Sequence, residues 1–315
     1  MERPGISGRG VIEIGEAGEF GLIARVAGRF PQGPLVELGP GDDAAVVRAP
    51  DGRVVASMDL LVEGRHFRTD WSSAYDVGRK AAAQNLADIV AMGARPTALL
   101  VGFGAPPELE VAWAEEFSDG LRDECALVGA SVVGGDTVRS EGITVAVTVL
   151  GDLGGLPPLT RTGARPGEVV AVRGRLGWAA TGLAGLLGEA EVPERFTAAH
   201  RRPEPPYTAG EEARSLGATA LMDVSDGLVQ DLGHLARGSG VGIALASALV
   251  PLDEGVALAD ALTGGDDHAF VGTFPAGGVL PPSWRVLGEA VEGGGVTVDG
   301  RPVEHGGWDH FGVTE

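Results

Sequence analysis

Gly39-Pro40-Gly41-Asp42-Asp43-Ala44-Ala45-Val46 is the stretch from which the rest of the chain is read. Two adjacent aspartates follow a Gly-Pro-Gly turn and lead into an apolar run. Residues 44–47 read as a strand, Pro50-Asp51-Gly52 as a turn and residues 54–58 as a second strand, together a β-hairpin. Pairing about that turn sets Asp43 opposite Asp59 at the open end. An isolated Asp-Asp pair ordinarily does no more than solvate a turn. A third carboxylate at the same end changes the reading, because crowded like charges resist joint ionisation unless a cation lies between them.

At 315 residues the chain is long enough for two domains, each with its own core. Its 44 acidic and 24 basic side chains give a formal net charge of −20. No basic tract is left to displace counterions, so neither nucleic acid nor an anionic membrane is an expected partner. An anionic substrate must arrive with metal ions. Cys125 is the only cysteine, which excludes an intrachain disulfide and a cysteine-based metal site. With no apolar run of membrane-spanning length and no signal-peptide pattern, the expected location is cytoplasmic. The 52 glycines imply tight turns and close backbone approaches, which phosphate sites also need. Lys80 is the only lysine and Asn85 the only asparagine, and both fall in one short segment. A compact ammonium there suggests a role that a guanidinium does not fill.

Residues 1–16 read as a loose extension and residues 19–30 as an amphipathic helix. Ser73-Ala74-Tyr75-Asp76 matches a capping box and opens a helix to about Met92, rich in alanine and suited to close packing on a sheet. Lys80, Gln84 and Asp88 fall on one face of it, with Asn85 beside Asp88. That stripe serves equally as solvated surface or as a site. A strand at 98–103, a helix at 108–128 and strands at 131–133 and 143–150 follow. Gly134-Gly135-Asp136-Thr137 is expected as a glycine turn presenting an aspartate.

Gly154-Gly155-Leu156-Pro157-Pro158 is the best linker. It divides the chain into the extension, an N-terminal α/β domain (17–153) and a C-terminal α+β domain (154–315). Arg161 follows the boundary; a lone loop arginine ordinarily lies in solvent, and the alternative is that it reaches into an interdomain cleft. Beyond it come a strand at 169–172 and a glycine turn into a helix at 179–187. The run Ala220-Leu221-Met222 ends in Asp223-Val224-Ser225-Asp226-Gly227 and an amphipathic helix. Ser225 or Asp226 is its expected N-cap. The helix terminus favours anions while Asp223 and Asp226 favour cations, a pairing that a metal-bound polyphosphate satisfies. Gly264-Gly265-Asp266-Asp267-His268 precedes a strand at 269–274. Near the end, Trp308-Asp309-His310-Phe311 offers an indole for packing or for stacking on a flat ring.

The inventory is therefore aspartates at glycine turns with few histidines. Oxygen-only ligation selects Mg²⁺, Mn²⁺ or Ca²⁺ over zinc. A site that leaves room for waters and substrate phosphates is typical of phosphoryl transfer. The lysine cradle of a Walker A loop and the signature loops of a protein kinase are both missing.

At this point the motifs carry a resemblance. Gly41-Asp42-Asp43-Ala44-Ala45 comes first, then Asp59 with Glu63 and His66-Phe67, then Lys80 with Asn85, Asp88-Ile89 and Ala91-Met92-Gly93-Ala94. Gly134-Gly135-Asp136-Thr137 and Ser225-Asp226-Gly227-Leu228 follow in order. The series resembles the thiamine-monophosphate kinase family of the aminoimidazole ribonucleotide synthetase-like (PurM-like) superfamily. The resemblance implies transfer of a phosphoryl group from ATP to thiamine phosphate, direct and without a phosphoenzyme, so that no side chain acts as nucleophile. It implies several Mg²⁺ ions held by Asp43, Ser57, Asp59, Asp88, Asp136 and Asp223, with Asp226 at a further one. ATP contacts are implied for Gly135, Asp136, Arg161 and Ser225, and thiamine phosphate contacts for His66, Asp266 and Trp308. The implied fold is a two-domain α/β (α+β) PurM-like one, with N-terminal domains pairing through a β-barrel across a homodimer.

Three positions depart from the family pattern. Met58 stands where threonine is usual and supplies a metal contact only through its backbone carbonyl. Ala87 replaces serine before Asp88. Asp266-Asp267-His268 stands where Glu-Asp-Tyr is usual, one methylene short at the substrate carboxylate. The alternatives are another PurM-like ATP-using enzyme, or a relative that binds nucleotide or divalent cations without catalysis.

Overall fold

In the computed structural model, which describes residues 12–40, 44–303 and 306–308, the capping box at Ser73 closes as read. Ser73 Oγ accepts from the Asp76 amide at 3.1 Å, and the Asp76 carboxylate accepts from the Ser73 amide at 3.2 Å. Such a cap stabilises a helix start by about 1 kcal/mol.

The chain runs α1 (Ile14–Ala27), β1 (Val36–Leu38), β2 (Val46–Val47), β3 (Val55–Val62), α2 (Ala74–Ala91), β4 (Arg95–Ala105), α3 (Val111–Ala126), β5 (Ser131–Arg139) and β6 (Thr144–Asp152). It continues with β7 (Val169–Arg173), α4 (Trp178–Leu186), α5 (Glu194–Arg201), α6 (Ala209–Ser215), β8 (Ala220–Val224), α7 (Leu228–Ser239) and β9 (Gly242–Leu245). The last elements are α8 (Leu258–Thr263), β10 (Ala269–Phe274), β11 (Arg285–Val291), β12 (Gly295–Val298) and β13 (Arg301–Pro302). This is a mixed α/β fold.

A four-stranded sheet of order β3-β6-β4-β5 carries α1, α2 and α3 on one face. Alternation on β6 decides which face: Val145, Val147 and Val149 are buried against the helices. A seven-stranded sheet of order β13-β12-β9-β11-β7-β10-β8 packs with α7, α4 and α8 around a second core. Helix α2 belongs to both halves. Its Ala87, Val90 and Ala91 pack with Ala209 and Ala213 of α6 and with Leu221 and Phe270 of the second sheet. Small residues allow this: a Cβ at Gly78 would strike the Phe117 carbonyl of α3, and one at Gly210 the Val90 carbonyl of α2. A polar brace adds to the junction, with Tyr207 donating to Glu124 Oε1 at 2.5 Å while Arg79 pairs with the other Glu124 oxygen.

Four expectations are corrected. The hairpin does not form: β2 pairs antiparallel with β1, and β3 pairs along its length with β6, from Val55↔Gly151 to Val62↔Thr144. The Pro50-Asp51-Gly52 turn itself exists, closed by Gly52 N–H to Ala49 O at 3.0 Å, but it joins strands of different sheets. Gly134-Gly135-Asp136-Thr137 is no turn; it lies within β5, parallel to β4. Its glycine is required there because a Cβ at Gly135 would overlap the Val101 carbonyl. The first helix begins at Ile14, earlier than read, and kinks at Gly18, whose φ is 68°. The cap of α7 comes from neither Ser225 nor Asp226. Asp231, one turn inside the helix, accepts from the Asp226 and Gly227 amides at 3.1 and 3.0 Å.

Candidate active site

Strand β3 alternates, so Ser57, Asp59 and Leu61 face the helices while Met58 and Leu60 face away. Opposite them lies α2, whose stripe of Lys80, Gln84, Asn85 and Asp88 is drawn into the protein rather than solvated. Ser57 Oγ donates to Asp88 Oδ2 at 2.6 Å, and the Asp59 amide donates to Asn85 Oδ1 at 3.1 Å. Asn85 is held in turn by donating to Ala81 O at 2.9 Å. Lys80, 2 % exposed, reaches the other half of the chain, donating to Asp266 Oδ2 at 2.9 Å and His200 O at 3.2 Å.

The third carboxylate arrives on β8. Asp223, buried, accepts from His268 Nδ1 at 3.2 Å. Burial first, then the charges of Asp223 and Asp59, push the Asp88 carboxyl up to about 7, against the opposing Ser57 hydrogen bond. Burial, together with Asp223, raises Asp59 as well, although His268 works the other way. His268 is itself raised: burial disfavours its charge, but the Asp223 hydrogen bond and the charges of Asp223, Asp266 and Asp88 outweigh that. Burial likewise lifts Asp231 to about 7, helped by Asp223 and Asp226. Asp266 is lowered, since Lys80, His200 and His268 overcome its burial. Beside it, burial and Lys80 push the His200 imidazole down to about 3.

Asp59, Asp88 and Asp223 thus form a crowded, all-oxygen donor set that a hard divalent cation would relieve. Among the described residues no group of three or more Asp, Glu, His or Cys side chains is placed to hold a metal ion by itself. Mg²⁺ takes waters and substrate phosphates for part of its shell, so the carboxylates need not enclose it. Met58 points to the outer face and is 55 % exposed, so its side chain lies away from Asp59 and Asp88.

Not every expected residue joins this group. Asp136 pairs in register with Gly102, which pairs with Ala146, which pairs with Leu60. Its side chain therefore lies on the outer sheet face, opposite to Asp59. Gly135 neighbours it on β5. Arg161 is exposed, its carbonyl bonded by Ser239 Oγ at 3.2 Å, and its charge is felt by His234 of α7. His66 is folded back on its own loop, Nδ1 accepting from the Val62 amide at 3.0 Å. Ser225 and Asp226 form the turn before α7, on which Trp308 docks: its amide donates to Asp226 O at 2.9 Å, and Gln230 donates to its carbonyl at 2.6 Å. At this helix terminus, expected to favour an anion, the Asp226 and Gly227 amides are already taken by Asp231. Asp43 lies outside the described residues, as do Met1 to Val11 and Asp309-His310-Phe311.

Sequence reading missed Asp231 and His268. Asp231 carried a weak signal, an acid in the first turn of a helix that follows two others. His268 carried none beyond its position after Asp266-Asp267.

The family described as AIR synthase related protein, N-terminal domain, matches residues 41–153. Thiamine-monophosphate kinase of Mycobacterium tuberculosis (strain CDC 1551 / Oshkosh) is 46% identical over 314 residues, spanning 94% of this chain and 92% of that protein. The Escherichia coli (strain K12) thiamine-monophosphate kinase is 36% identical over 323 residues, spanning 93% and 98% respectively. A solved structure described as AaThiL complexed with AMPPCP and TMP superposes with a TM-score of 0.78 at 34% identity, covering 94% of this chain and 98% of that one. With likeness of this extent along nearly its whole length, the chain belongs to the thiamine-monophosphate kinase family.

Proposed function

We propose that the chain transfers the γ-phosphoryl group of ATP to thiamine phosphate, giving thiamine diphosphate and ADP by direct, Mg²⁺-assisted transfer. The observation that carries this reading is the convergence of Ser57, Asp59, Asp88 and Asp223 from β3, α2 and β8 in a family whose solved relative is described with AMPPCP and TMP. Asp59, Asp88 and Asp223 hold the divalent cations, and Ser57 fixes the Asp88 carboxylate. Bound there, Mg²⁺ neutralises charge on the transferring phosphoryl group and orients it. Lys80 holds Asp266 toward the thiamine phosphate site, to which His66 and Trp308 contribute, while Arg161, Ser225 and Gly135 serve ATP. Asp43, Asp226 and the Met58 carbonyl complete the metal set in this reading, whereas Asp136, on the outer sheet face, stands apart from it. No side chain here is asked to become phosphorylated.

The same reading divides the chain at 153/154, supported by each large sheet lying wholly on its own side of that point. It also makes the protein a homodimer joined through a β-barrel of two N-terminal sheets. Met58, Leu60, Leu100 and Val138 support this, all exposed and sharing the outer face of the four-stranded sheet by register. A cytoplasmic location fits a lone thiol, Cys125, that is buried and pushed up to about 12 by burial and Glu124. No helix among the described residues is long and apolar enough to cross a membrane. Single-turnover incubation with ATP labelled at the γ-phosphate tests direct transfer. The label is expected in thiamine diphosphate with none on the protein; labelled protein that chases into product would contradict it.

A further inference from the structure

We propose that His268 is a positioning residue for Asp223 and, through it, for the divalent cation that the carboxylates take up; the inference rests on the reading of Asp59, Asp88 and Asp223 given above. In Asp266-Asp267-His268 three consecutive side chains are anchored to three different elements. Asp266 meets Lys80 of α2 at 2.9 Å. Asp267 accepts from the amides of Gly177 and Ala179 at the start of α4, the latter at 2.9 Å. His268 Nδ1 meets Asp223 Oδ2 of β8 at 3.2 Å.

The backbone leaves the imidazole little choice. Asp266 and His268 have φ of 65° and 49°, a region that side-chain-bearing residues enter only when their surroundings impose it. The His268 amide donates to Val224 O at 2.9 Å, and the next residue, Ala269, already pairs with Val224 in the ladder of β10 with β8. The ladder fixes the direction in which the side chain leaves the backbone, and burial confines the ring beside Asp223. The ring is 4 % exposed, and its Nε2 has no hydrogen-bond partner among the described residues. Its polar attachment is therefore the Nδ1 bond, which occupies one oxygen of Asp223 and fixes the plane of the carboxylate. The other oxygen stays outside that bond, available to a cation shared with Asp59 and Asp88. A hydrogen-bonding partner that fixes a ligating carboxylate typically governs metal affinity.

The test is Mn²⁺ binding to the full-length protein without nucleotide, by calorimetry or by the electron paramagnetic resonance of free Mn²⁺, across three variants. His268→Phe removes both nitrogens; His268→Asn puts an amide nitrogen at the place of Nδ1, and His268→Gln puts one at the place of Nε2. We expect His268→Phe to weaken binding about 10- to 100-fold. His268→Asn should return it to within about threefold of wild type, and His268→Gln should not. In turnover, His268→Phe should raise the Mg²⁺ concentration for half-maximal rate while KM for thiamine phosphate at saturating Mg²⁺ stays nearly unchanged. If His268→Phe fails to fold, the contrast between the Asn and Gln variants decides. Wild-type affinity in the Phe variant, equal behaviour of Asn and Gln, or rescue by Gln alone overturns the proposal. If the wild type binds Mn²⁺ yet makes no thiamine diphosphate, the functional reading fails, and the binding comparison still decides the role of His268.

Discussion

Lys80 Nζ lies 2.9 Å from Asp266 Oδ2, so the chain's one lysine ties the middle of α2 to the loop before β10. The ammonium is buried, whereas the Asp266 side chain keeps 39% exposure. Removing the lysine leaves a carboxylate that water only partly satisfies. Lys80→Met is therefore expected to cost about 2 kcal/mol, below the ~3–5 kcal/mol of a fully buried pair. Urea denaturation checks this. Lys80→Arg should recover only part of the loss, because a planar guanidinium does not fit where a compact ammonium sits.

Asp266→Glu carries the carboxylate one methylene further into the site proposed for thiamine phosphate. KM for thiamine phosphate is expected to fall several-fold with kcat little changed, read from initial rates at saturating ATP. An unchanged or higher KM would remove the short side chain as the reason for this departure from the family pattern.

The Asp88 carboxyl, held up to about 7, predicts a pH dependence. Without a cation, its protonated form stabilises the fold fully below the unfolded value of 3.8, and that contribution is lost as pH rises through about 7. A cation reverses the balance, since it needs the ionised form. Apparent Mg²⁺ affinity should thus be about tenfold weaker at pH 6 than at pH 8. The Mg²⁺-induced rise in Tm should grow over the same interval. Thermal melts at both pH values read this directly, and Asp88→Asn should flatten the trend.

Leu60 is 47 % exposed on the outer face of β3, in register with Ala146 and so with Gly102. Leu60→Arg places a charge on the surface proposed to meet a second copy. Sedimentation equilibrium should show a dimer for the wild type and a monomer for the variant, with circular dichroism unchanged. A monomeric wild type would contradict the barrel.

Signals confined to one turn of chain were legible. The Ser73–Asp76 cap needs only residues three apart, and α2 followed from it. Pairing between distant strands was not. The Pro50-Asp51-Gly52 turn has genuine turn chemistry, yet β3 takes its partner from β6, about ninety residues on, and no local pattern encodes that choice. Two glycines before Asp136 looked like a turn because glycine marks both turns and close strand approach; the Val101 carbonyl beside Gly135 shows which it is. For the site, the α2 stripe was visible but its burial was not. Composition hinted at it, through a lysine kept where every other basic residue is arginine. The pairing of His268 with Asp223 depends on two strands, β8 and β10, meeting in register, which sequence periodicity does not reveal.

The most direct test of the account is product formation by the full-length protein with ATP, Mg²⁺ and thiamine phosphate, followed by chromatography. One thiamine diphosphate is expected for each ADP formed, and both products should be lost in Asp88→Asn, with the circular dichroism spectrum retained. Nucleotide binding with no thiamine diphosphate from the wild type, or near-normal turnover in Asp88→Asn, would contradict the account.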